Sequence, residues 1–79
     1  MTLTDMIRQG YGIDDMLAGH HFIAVSDTAL ELFRSGEIDF EFAQFISKGL
    51  RRRRQSAARE LLKNLEVIEM QIQEMEQAG

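Results

Sequence analysis

A strip of apolar residues spaced alternately by three and four runs along the C-terminal part of the chain: Ala58, Leu61, Leu65, Ile68, Ile72 and Met75. This is the seam of a helix that packs lengthwise against other helices. From Leu50 to Met75 there is no proline and no interior glycine, and Ala, Leu, Glu, Gln, Arg and Met dominate. These residues lose little freedom in a helix, so the spacing predicts one long helix. Its apolar face must be covered, either by the N-terminal half of the same chain or by a second copy. The chain has 79 residues and no cysteine. So small a domain buries a limited fraction of its surface, and disulfides and thiolate metal sites are excluded. Oligomerisation is the remaining device. The expectation is therefore a homodimer through Ala58, Leu61, Leu65, Ile68, Ile72 and Met75.

The charges along this stretch point the same way. Arg51, Arg52, Arg53, Arg54 and Arg59 lie in its first half, and Glu60, Glu66, Glu69, Glu74 and Glu76 in its second, with Lys63 as the one stray cation. In one helix that order opposes the dipole, which favours anions at the start and cations at the end. An antiparallel partner would lay each basic half beside an acidic half.

The N-terminal part carries short helical signals. Thr2 to Asp5 has the form of a capping box, with Leu3, Met6 and Ile7 on one face and Gly10 placed as a stop. Ile13 to Ala18 reads as a second short helix ending at Gly19. His20 to Val25 has strand-like composition, but no other strand could pair with it, so an extended connection is expected. Ser26 then opens a third helix, which Gly36 ends. Asp39 caps a fourth, whose apolar stripe is Phe42, Phe45 and Ile46. That stripe continues in phase through Leu50 and Ala57, so a nearly continuous helix with a weak point at Gly49 is expected. The architecture predicted is all-α, with three short N-terminal helices packed on a long C-terminal helix that carries a coiled-coil-like seam: one small domain, residues 1–79. A compact helical part (1–49) precedes a long dimerising helix (50–77).

Composition narrows the function. Apolar residues make up 44% and charged residues 28%, which suits a folded domain and not a disordered one. No apolar run approaches the length of a membrane span. Met1 to Gly10 carries acid and polar residues where a secretory signal needs an apolar core, so a cytoplasmic location is expected. A net charge of −4 argues against a general nucleic-acid coat but leaves room for a local basic patch. Such a patch is present. Arg51, Arg52, Arg53 and Arg54 are candidates for phosphate contacts on nucleic acid or for bidentate docking onto a partner's carboxylates. The bland alternative is a solvated collar whose stems cover apolar surface.

Two stretches resemble known families. Gly36 to Phe40 resembles the back half of an EF-hand calcium loop, but Phe42 stands where that loop needs a bidentate glutamate. Gly10 to Met16 and Val25 to Leu30 resemble the two helices of a helix-turn-helix, which implies a small DNA-binding regulator as the alternative function. The connection Ala18 to Val25 is longer than that family's tight turn. His20 and His21 are adjacent and diverge, so no metal site is expected. There is no nucleophile elbow, no glycine-rich phosphate loop and no cofactor motif, and an enzyme is not expected. The reading that remains is a small protein–protein interaction module of the regulator or inhibitor type, as many accessory proteins of this size are, phage-encoded ones among them.

Overall fold

In a computed structural model, described over residues 1–78, the chain forms five α-helices: α1 (Leu3–Arg8), α2 (Ile13–Gly19), α3 (Phe22–Arg34), α4 (Phe40–Arg51) and α5 (Gln55–Ala78). The all-α class expected from the seam is what the chain adopts. Thr2 caps α1, its hydroxyl accepting the Asp5 N–H at 3.2 Å. Asp39 caps α4 by accepting the Phe42 N–H at 2.8 Å. Gly10 and Gly36 stop α1 and α3 with φ of 79° and 85°. The N–H groups of Tyr11 and Glu37 then reach back to Met6 and Leu32, closing each helix end in the left-handed manner that favours glycine.

Two boundaries differ from expectation. Phe22 to Val25 are helical, not extended, because α3 begins at Phe22 with His21 as its cap. The His21 Nδ1 accepts the Ile23 N–H at 3.2 Å. Phe22, Val25, Ala29, Leu32 and Phe33 keep helical spacing, and packing on that face overrides the strand propensity of the short run. The break in the long helix falls at Arg52–Arg54, not at Gly49, which lies inside α4. The Arg53 and Arg54 N–H groups both turn back to the Leu50 carbonyl. The break also removes much of the charge conflict. Lys48 and Arg51 now occupy the last turn of α4, where the dipole favours cations. Glu74 and Glu76, near the end of α5, still oppose it, at a few tenths of a kcal/mol each for exposed groups.

The core is built around a hairpin of α4 and α5, with α3 packed against both. Ala43, Ile46, Ser47 and Leu50 of α4 are buried, as are Ala58, Leu61, Leu65 and Ile68 of α5, all in one core. Small residues at 43, 47 and 58 let the two backbones come close, and the buried Ser47 hydroxyl donates to the Ala58 carbonyl at 2.9 Å. Four of the six residues expected at a dimer interface are covered within the chain itself. Ala58, Leu61, Leu65 and Ile68 are between 0% and 7% exposed within a single chain, so they are not free to meet a second one. Only Ile72, half-buried, and Met75, 73% exposed, extend past that cover. The lengths explain this. The 12 residues of α4 reach about 18 Å and the 24 of α5 about 36 Å, so the far end of α5 runs on without α4 beside it.

The same packing turns Phe42 and Phe45 outward. They were expected in the buried stripe of α4, but only Ile46 of that stripe is buried. A helix that approaches α5 through alanine and serine has no room for phenylalanine on that face.

The short helices are pinned at the sides. Arg8 of α1 donates from Nε and Nη2 to the Glu37 carboxylate, both at 2.8 Å. That hydrogen bond, reinforced by the Arg8 charge, holds the Glu37 carboxyl below its ordinary range. α2 leans on α4 at Gly49, where a Cβ would overlap Ile13 Cγ1 and come within 3.3 Å of its Cβ. In an exposed helix interior, glycine to alanine would stabilise by about 1 kcal/mol. Here overpacking, typically about 1–3 kcal/mol, opposes that gain. Gly49→Ala is expected to lower stability by about 1 kcal/mol in urea denaturation, and to cost less or nothing in an Ile13→Ala background.

Candidate interaction surfaces

Two surfaces combine residues that folding brings together. The first is basic. Lys48 to Arg59 contains six of the nine cations and none of the thirteen acids. Because the helix breaks at Arg52–Arg54, the four arginines do not spread around one helix. They occupy the end of α4 and the turn into α5, all exposed. Arg53 forms an ion pair with Asp14 of α2. The Arg54 guanidinium lies over the Phe22 ring, 5.0 Å from its centroid, and the His21 ring stacks on Phe22 at 4.3 Å. The guanidinium–ring attraction is worth about 0.5–1 kcal/mol at an exposed site. Leu17, His20, His21, Phe22, Arg53 and Arg54 together line an open pocket of about 300 Å³.

Sequence reasoning picked out Arg51 to Arg54 but missed His20, His21 and Phe22 as their neighbours. No local pattern joins residues thirty positions apart. A helical reading of Phe22 to Val25, with His21 as cap, would have put the histidines at a corner.

The second surface is aromatic. Phe45 is 71% exposed, and Phe42 and Tyr11 are about two-fifths exposed. With Ile7, Ile13, Met16 and Ile46 they border a cleft of about 100 Å³ between the α1–α2 turn and α4. Given the usual size of these side chains, the three rings leave on the order of 300 Å² in water. An apolar patch of that size is comparable to the largest patch on an ordinary monomeric protein, which is often functional.

Other features carry less. A concavity of about 340 Å³ between α3 and α5 has Asp27, Glu60 and Asn64 among its lining residues. The Ser26 hydroxyl, buried and without a partner, lies in the same groove. Among the described residues no group of three or more His, Cys, Asp or Glu could hold a metal, and no helix is long and apolar enough to cross a membrane. α2 and α3 are joined by His20 and His21 alone, a shorter link than the sequence suggested and closer to a helix-turn-helix. The exposed residues of α3 are nevertheless Ile23, Asp27, Glu31 and Arg34, and two carboxylates on a recognition helix would repel phosphates. Comparison with protein-family models, with curated proteins and with solved structures finds no match.

The outward placement of Phe45 has a direct energetic signature. Phe45→Ala is expected to change stability by no more than about 0.5 kcal/mol, as for surface positions. Ile46→Ala, one residue on and 3% exposed, is expected to cost about 2–4 kcal/mol. Thermal and urea melts of the two variants check the pair.

Proposed function

We propose that this chain is a small helical protein–protein interaction module of the regulator or inhibitor type, which meets its partner through Tyr11, Phe42 and Phe45. The observation that carries the reading is the exposure of Phe45. A phenylalanine on α4 stays in water although the same helix has a well-packed inner face. Folding gains nothing from that residue, and rigid aromatic anchors are what interface centres are enriched in. The cleft beside it is the size of a socket for one apolar side chain of a partner protein. α1, α2 and α4 are fixed around it by the Arg8–Glu37 pair and by the close approach of Ile13 to Gly49.

No pairing of two copies through α5 is included in the proposal, since of the seam only Ile72 and Met75 extend past the chain's own cover. The alternative of a DNA-binding regulator has the short His20–His21 link in its favour and the acidic outer face of α3 against it. Duplex binding that weakens steeply with salt would turn the reading toward that alternative.

Selection from a displayed peptide library against the folded protein tests the proposal. The expected result is enrichment of peptides with a large apolar anchor. Phe45→Asp, folded to the same helicity, should lose them at least tenfold, about 1.4 kcal/mol. A library that enriches nothing, or peptides that bind the Phe45→Asp protein equally well, would overturn it.

A further inference from the structure

We propose that the pocket formed by His20, His21, Phe22, Arg53 and Arg54 is a binding site for a single phosphate monoester, independent of the aromatic cleft. Three observations meet there. The first is charge. Two guanidiniums, Arg53 and Arg54, line this pocket, and a single carboxylate, Asp14, is paired with one of them. Their mutual repulsion is relieved by a compact anion of charge near −2, which a phosphate monoester carries at neutral pH.

The second is geometry. Arg54 is braced against Phe22, and Phe22 against His21, so one guanidinium is oriented before any ligand arrives. A planar fork held in place loses less entropy on binding phosphate oxygens than a free side chain does. Because His21 Nδ1 accepts the Ile23 N–H, the ring proton of the neutral imidazole sits on Nε2, where it is a donor. Arg53 is tied to Asp14 by an exposed ion pair, an attachment worth only about 0–1 kcal/mol, so it can exchange the carboxylate for phosphate.

The third is confinement. The basic residues are bounded by acids, with Asp14 and Asp15 on α2, and with Asp27 and Glu60 lining the neighbouring groove. A duplex needs positive potential over a broad face, and those carboxylates oppose it. A lone phosphate on a peptide side chain or a small molecule needs only the corner. Phe22 is already in contact with Arg54 and His21, so less of its ring is left for a base to stack on.

Nuclear magnetic resonance titration of the full chain tests this, with amide shifts followed as inorganic phosphate, O-phosphoserine in a short peptide, and adenosine monophosphate are added in turn at constant ionic strength. Saturable shifts centred on residues 20–22 and 53–54 are expected with each. A preference for the peptide or for the nucleotide tells which source the site takes. Arg54→Ala and Arg53→Ala should weaken binding at least tenfold while the remaining spectrum is kept. Arg52→Ala, in the same turn but outside the pocket, should change it less than twofold. Arg54→Lys, which keeps the charge and loses the fork, should bind between the two. If shifts fail to saturate, or if Arg52→Ala weakens binding as much as Arg54→Ala does, the attraction is only diffuse charge and the site is refuted. Duplex DNA binding that survives Arg53→Ala and Arg54→Ala would refute it equally.

Discussion

The close approach of α4 to α5 is the constraint on which the other features rest. Ala43, Ser47 and Ala58 are small and buried where the two helices meet, and the Ser47–Ala58 hydrogen bond satisfies the one buried polar side chain there. Leu50 and Leu65, both fully buried, fill the space on either side. With that face settled, the phenylalanines of α4 must go elsewhere. Phe40 turns into the core against Phe33, while Phe42 and Phe45 remain outside. Phe45, 71% exposed, adds little to that packing. This is why a contact function is the economical reading of it.

The arginine turn follows from the same hairpin. Two helices packed antiparallel over such a distance need a tight connection, and Arg52 to Arg54 supply it. Consecutive arginines are a poor choice for a helix start, yet they suit the end of α4, and the turn presents them beside the α2–α3 corner. There Phe22 lies against Arg54, and Asp14 pairs with Arg53. Charge that looked like a scattered collar becomes a localised feature once the break is placed correctly.

Much of the fold was legible in the chain. Thr2, Asp39, Gly10 and Gly36 act locally, through hydrogen bonds and backbone angles within a few residues, and each does what its type and position suggest. The seam of α5 was legible as well, including its phase. What covers it was not, because a three- and four-spaced strip is the same whether a neighbour lies in the same chain or another. The stripe of α4 misled for a related reason. Two overlapping helical sets, 42–45–46 and 43–46–47–50, compete for the inside, and size complementarity with α5 decides between them. The basic pocket was half legible. Arg53 and Arg54 stand out in any reading, whereas His20, His21 and Phe22 join them only through the tertiary fold. A histidine cap gives a weaker start signal than the serine a few residues later.

The central claim is that one chain covers its own seam. Leu65 sits at the middle of that seam with no exposure. The most direct measurement is the helicity and molar mass of Leu65→Arg beside the wild type, by circular dichroism and light scattering at tens of micromolar. The account predicts a folded wild type with the mass of one 9.1 kDa chain, and a variant that loses cooperative unfolding altogether. A wild-type dimer that Leu65→Arg splits into well-folded monomers would contradict it.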